Sequence, residues 1–470
     1  MHITPRRAFL GFALVLTVLV ASIVARSPLQ VTDDVDKLSP ALNGSLADVL
    51  TATGDGTYRP MGPLVARLVI QLTGPREATT LRLLLAVQIA AMCFLLAVVL
   101  PVTAWGDTAA GMLALSVLLG HQAFRPLTAE GYPLNHFALI GVTSLLAVVL
   151  IQRPPRTLND YLAAVLALLA MLTLESGLLV TGIFLMARPL GFPGVSRRGV
   201  AGAVAALLVY LAVRAVALPV DSFAPPLAGH RSGFGFDMLD SAAIQVRFGN
   251  HPWLWRSHNV LAATLSVVFA EPREGQWDFV RSALAASMER PRLVAVAASC
   301  LTTALIVVTA FRIFRSAAPR NWRSIVLRDA DGRLISLCAG VIVANGVMCA
   351  SYVKEDILST AAVFYAIAAH VAVRRAIDWG VVTRRPFTTP VALCALGAAA
   401  MLWALCASDT ACMIRYRAFT KRTDWAVVDA SAWGPDDRAL GSRMRESYIA
   451  LRVPPPGVVN ATVPCLLRTP

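Results

Sequence analysis

Asp33 and Asp34 stand side by side in VTDDVDKLSP, shortly after a long apolar run ends near residue 25. Neighbouring carboxylates raise one another's pKa or bind a cation jointly, and either arrangement suits a general base that takes a proton from a hydroxyl. Aspartate is also a favoured helix N-cap that complements the helix dipole, so the pair alone leaves both roles open. Glu130, in RPLTAEGYPLNH, is a second acid for such a site or a solvated loop carboxylate. Glu175 interrupts the apolar stretch LLAMLTLESGLLVTGIFLM. An acid at membrane depth is costly enough to be a functional candidate. The alternative is a structural contact to an arginine, or to backbone amides freed at a helix break.

Two cations complete the set. Lys354 lies with Glu355 and Asp356 between two apolar runs, and Arg59 follows Tyr58 in TGDGTYRPMGP. A lysine at the end of a membrane helix snorkels to the headgroups; contact with a lipid-linked phosphate is the other reading, for Lys354 and for Arg59. The remaining chemistry is sparse. The seven histidines have no HExxH-type spacing, and His251 and His258 in HPWLWRSH fit a structural role better than a metal site. There is no Walker loop, no GxSxG and no GxGxxG after a strand, so no nucleotide site is expected. No metal ligand set emerges, and no cofactor is named by the sequence; a divalent-cation requirement stays open.

The elements that position these residues follow from composition. Of 470 residues, 57% are hydrophobic and 15% charged, against about 25% charged in ordinary soluble domains. That excludes a soluble enzyme, a disulfide scaffold and a disordered chain. Apolar runs fall near 8 to 25, 82 to 104, 108 to 121, 137 to 152, 160 to 174, 177 to 188, 200 to 219, 292 to 313, 334 to 352, 357 to 373 and 389 to 407. A crossing needs roughly 20 apolar residues, so the chain reads as an all-α polytopic membrane protein of about eleven transmembrane helices. The net charge of +14 is almost all arginine at the ends of these runs, the footprint of cytoplasmic loops rather than of nucleic-acid binding.

With Arg6 and Arg7 inside, eleven crossings also place Arg153, Arg156, Arg197, Arg198, Arg312, Arg315, Arg333, Arg374 and Arg375 inside. Counting the shorter run at 260 to 270 would invert everything after it, so that run is expected to be a re-entrant or interfacial helix. The same test splits 160 to 188 into two helices at Leu174, Glu175 and Ser176. The first run is expected to be an uncleaved signal anchor. A transmembrane domain over 1–407 then carries outer loops at 26–81 and 220–291 with short helices, followed by a small extracytoplasmic tail over 408–470. In the second loop Trp277, Val280, Leu284 and Met288 recur at helical spacing, as in a helix lying in the interface. Cys412 and Cys465 are the two cysteines expected outside together, and therefore the pair that could form a disulfide. The compartment implied is the cytoplasmic (inner) membrane, with the N-terminus cytoplasmic and the C-terminus periplasmic.

In order and spacing these pieces resemble the GT-C superfamily of polytopic glycosyltransferases, which includes the protein O-mannosyltransferases and the lipid A aminoarabinose transferases. The likeness rests on a first span, an exported loop with Asp33-Asp34, then Tyr58-Arg59-Pro60 leading into GPLVARLVIQLTG, then Glu130 in the next outer loop. It continues with LLAMLTLESGLLVTGIFLM, similar to the family's helix, Lys-Glu turn and helix, although the family's lysine is Leu174 here. It covers roughly residues 1 to 375 in architecture. The resemblance implies a polyprenyl-phosphate-linked sugar donor and a lipid, glycan or protein acceptor. Asp33 or Asp34 would be the base and Glu130 a second acid; Arg59 and Lys354 would be phosphate contacts, Tyr58 would lie beside them, and Glu175 would be a buried support. Two other classes compete. A transporter or flippase would place polar residues and broken helices near the midplane, often in repeated halves, and the sequence shows one broken segment and no repeat. A noncatalytic assembly factor on the same scaffold would leave degenerate motifs such as Leu174.

Overall fold

The computed structural model describes residues 3–26, 45–51, 53–54, 57–73, 77–128, 134–217, 232–234, 237–239, 241–249, 251–270, 282–285, 287–315, 329–383 and 394–414, with the single residues 439 and 442. In chain order its helices are α1 (Pro5–Ala25), α2 (Leu46–Thr51), α3 (Met61–Thr73), α4 (Glu77–Val99), α5 (Trp105–Gly120), α6 (His136–Gln152), α7 (Thr157–Thr173), α8 (Leu178–Ala187), α9 (Arg197–Ala217), α10 (Ser241–Phe248), α11 (Pro252–Val268), α12 (Arg290–Arg315), α13 (Ala330–Met348) and α14 (Ser359–Thr383). They are followed by α15 (Cys394–Ile414). The strands among the described residues form two antiparallel ribbons. β1 (Thr53–Gly54) pairs with β2 (Thr57–Tyr58), Thr53 opposite Tyr58, and β3 (Ser232–Phe234) pairs with β4 (Asp237–Leu239), Ser232 opposite Leu239.

The protein is helical and membrane-type. Each of the eleven apolar runs coincides with a helix, and seven helices are long and apolar enough to cross a membrane: α1, α4, α9, α12, α13, α14 and α15. α5, α6 and α7 have 16, 17 and 17 residues. At about 1.5 Å per residue they reach about 25 Å, short of the roughly 30 Å hydrocarbon layer. The last helix continues past 407 to Ile414, so the tail does not begin where hydropathy alone put it. Asp409 and Thr410 are held in that added turn by Arg125, with Nη2 to Asp409 Oδ2 at 2.5 Å and Nε to Thr410 Oγ1 at 3.2 Å. Most of the expected interfacial helix around Trp277 lies outside the described residues.

Polar contacts sort the helix termini into two opposite ends. At one end, Arg6 donates to the carbonyls of Leu100 (2.5 Å) and Val98 (2.8 Å), stopping α4, and Asp107 Oδ2 accepts from the amides of Thr103 and Ala104, starting α5. A guanidinium on the last carbonyls and a carboxylate on the first amides are what the two helix poles favour. At the same end Asp331 takes Arg374 and Arg375, and Asp160 takes the Ser196 amide and hydroxyl. The other end holds the starts of α6 and α14 and the finish of α9. α14 is the axis of the bundle and is almost wholly enclosed, packed against α5, α6, α12 and α13.

α11 covers most of the shorter apolar run at 260 to 270. It runs antiparallel to α13: Asn259 Nδ2 donates to Ala350 O at 3.1 Å, and Gly346 lies so close that a Cβ there would sit 2.3 Å from Thr264 Oγ1. It stops inside the bundle. Its last carbonyls are taken by buried partners, Val267 O by His121 Nε2 at 2.9 Å and Val268 O by Thr303 Oγ1 at 2.5 Å. Ala270, with φ of 46°, turns the chain away through the left-handed region, a common helix stop. Because His121 Nδ1 accepts the Ala123 amide at 3.2 Å, its Nε2 carries the proton given to Val267.

Candidate functional site

The site begins at the break between α7 and α8. α7 ends at Leu174, whose φ of −158° and ψ of 148° are extended, and a 3-10 turn over Glu175–Gly177 restarts the chain. Gly177 is required by packing, since a Cβ there would fall 2.2 Å from the Ala170 carbonyl carbon. The turn projects Glu175 sideways, and two guanidiniums meet it. Arg59 donates from Nε (2.8 Å) and Nη2 (2.7 Å) to Oε2, and Arg214 donates from Nη1 to Oε1 at 3.0 Å. Arg214 also donates to the Tyr210 hydroxyl at 3.1 Å, one turn earlier on α9, where side chains four apart are neighbours.

Two guanidiniums thus share one carboxylate. The Arg214 side chain is 7% exposed, whereas Glu175 and Arg59 are 26% and 32% exposed, so the cluster opens on the Arg59 side. Arg59 is delivered there by the β1–β2 ribbon, and Tyr58 beside it is buried; burial pushes its phenol up from the ordinary range. Upstream, Ser45 and Asp48 form a reciprocal cap on α2, Ser45 N to Asp48 Oδ2 at 2.7 Å and Asp48 N to Ser45 Oγ at 3.1 Å. The hydrogen bonds from Ser45 hold the Asp48 carboxyl below the usual carboxylate range.

The start of α6 joins Arg59's segment to Lys354. A Cβ at Gly62, in the first turn of α3, would lie 2.8 Å from His136 Cε1, and the Lys354 ammonium lies 5.8 Å from the centroid of the next ring, Phe137. Lys354 Nζ also meets Asp356 Oδ2 at 2.5 Å. Arg59 and Lys354 therefore flank one helix start, at the end of the bundle opposite Arg6.

Of the residues singled out from the sequence, the structure brings Tyr58, Arg59 and Glu175 together and sets Lys354 across the His136-Phe137 pair from them. Asp33, Asp34 and Glu130 lie outside the described residues. Two members of the site, Arg214 and Tyr210, are not apparent from the motifs, and Asp356 enters there only as a neighbour of Lys354. Arg214 had a signal, a lone charge in the apolar run VYLAVRAVA with a tyrosine four residues before it. Among the described residues no group of three or more His, Cys, Asp or Glu is placed to hold a metal. Comparison with protein-family models, curated proteins and solved structures returns no match.

Proposed function

We propose that this chain is a membrane glycosyltransferase that moves a sugar from a polyprenyl-phosphate donor to a hydroxyl acceptor at the outer face of the cytoplasmic membrane. Its eleven apolar helices cross with the N-terminus cytoplasmic and the C-terminus periplasmic. The observation that carries the reading is the Arg59–Glu175–Arg214 cluster. It is a partly open site in which two guanidiniums meet at a helix break, and guanidiniums suit phosphate because they donate in a fixed planar fork. The substituted lysine of the family motif points the same way: Leu174 is buried, and the positive charge at that turn comes from Arg59 and Arg214.

In this reading the donor's prenyl chain stays in lipid and its phosphate sits against Arg59. The bond between the anomeric carbon and the phosphate oxygen breaks as the acceptor oxygen attacks. The arginines and Lys354 stabilise the charge that collects on the leaving phosphate, and the acceptor proton passes to Asp33 or Asp34, with Glu130 a second acid nearby. The test is to reconstitute the purified protein in lipid with a polyprenyl-phosphate sugar and cell-envelope acceptors. Transfer that disappears in Arg214→Gln supports the proposal, and wild-type protein without transfer to any acceptor opposes it. One observation favours a second reading. α11 ends inside the bundle, as broken helices do in transporters; movement of the lipid across the bilayer without sugar transfer would select that class.

A further inference from the structure

Lys354 and Asp356 form an asymmetric pair. The Lys354 side chain is 41% exposed and that of Asp356 is 2% exposed, with Nζ and Oδ2 2.5 Å apart. The second oxygen, Oδ1, is buried with no hydrogen-bond partner. Burying a carboxylate is costly, and a buried ion pair is a poor source of stability. A lysine that only needed water could snorkel without a partner. The geometry points to Asp356 as the positioning residue of Lys354: it fixes the ammonium over the Phe137 ring, beside the start of α6, as a stationary cation. This inference rests on the proposed phosphate site only for what the cation is used for.

Among the described residues, other charged groups near the 3-10 turn Glu355–Leu358 are few. Glu355 lies within it. Arg125 lies between the turns Gln122–Phe124 and Pro126–Thr128 that pack against it, and is paired with Asp409. His136 precedes Phe137 on α6. None of these contacts supplies the acid that Asp356 supplies at 2.5 Å.

The chain has three lysines, Lys37, Lys354 and Lys421, so amine acylation can be read residue by residue by mass spectrometry on the full-length protein in nanodiscs. A partner charge at this range moves a pKa by about one or more, about tenfold in the fraction of reactive amine. Lys354 is therefore expected to acylate at a higher pH than a model lysine peptide. Asp356→Asn should speed its reaction about tenfold at pH 8, and Asp356→Glu should return it towards wild type. An unchanged Lys354 rate in Asp356→Asn overturns the inference. If that variant does not fold, a wild-type Lys354 profile that coincides with that of a model lysine peptide overturns it equally. Farnesyl phosphate, used as the probe, should slow Lys354 acylation in the wild type. Faster acylation in Asp356→Asn without farnesyl phosphate protection would still assign the lysine's charge to Asp356 and would instead remove the phosphate reading.

Discussion

Arg59 and Glu175 are 116 positions apart in the chain, yet Arg59 gives two of its nitrogens to a single carboxylate oxygen of Glu175. One comes from the segment between α1 and α3 and the other from a break between two apolar helices, so the contact fixes that segment to the bundle. Removing one partner from a largely buried pair strands the other charges. Glu175→Gln is therefore expected to cost about 3 kcal/mol, the low end of the range for such losses because the side chain keeps some solvent. Denaturation in detergent would measure it. A double-mutant cycle with Arg59→Gln should show coupling of about 0.5–3 kcal/mol, and additive losses would mean the contact carries no energy.

Asp33→Asn and Asp34→Asn test the proposed chemistry. Positioned proton transfer contributes about 100- to 10,000-fold in rate, about 3 to 5 kcal/mol of transition-state stabilisation. Asparagine still caps a helix, so insertion and thermal stability should stay near wild type while turnover collapses in at least one variant. If both variants retain more than about a tenth of the activity, less loss than a positioned base should cause, the pair is a cap and the base lies at Glu130 or elsewhere.

His121→Ala should loosen the buried end of α11. It leaves the Val267 carbonyl without its donor, at a cost of about 1–3 kcal/mol. Hydrogen exchange should rise in α11 ahead of α13 and α14, whereas a uniform rise across the bundle would contradict a local role for the contact.

Cys412 is disulfide-bonded, and Cys93, Cys300, Cys338, Cys349, Cys394 and Cys406 are free. Digestion without reductant should yield a peptide joining Cys412 to Cys465, the eighth cysteine of the chain. Recovery of a free Cys465 thiol would reject the pairing. Such a bond persists in an oxidising compartment.

Thiol labelling at introduced cysteines tests the proposed topology across the whole chain. Ala317→Cys and Val382→Cys should react only after the membrane is permeabilised, and Gly434→Cys should react in intact cells. A reversed pattern at any of the three would overturn the eleven-crossing arrangement.

The helices and their breaks were legible because apolar length and arginine placement are properties of contiguous sequence. The split at Leu174 followed from asking which arrangement keeps arginines on one side. The site was only half legible. Arg59 and Glu175 stood out, one in a turn-rich loop and the other in an apolar run, but nothing local says that they meet. Arg214 was hidden inside a run counted simply as a crossing, although a charge there needs a partner. Asp356 stood out only as a charged neighbour of Lys354, because burial at a helix start depends on the turns packed over it and not on its neighbours in sequence.

The enclosure of α14 also orders assembly in time. Four of its packing partners, α5, α6, α12 and α13, precede it in the chain, so during synthesis they must leave a slot for it, which α15 then closes with Trp403 against Tyr365. The face it offers to that slot is narrow, with Ala361, Ala362, Ala366 and Ala369 completely buried. A larger side chain at any of these positions has no lipid-facing direction in which to relax. Defects there should surface as failed maturation of chains whose earlier helices have already inserted.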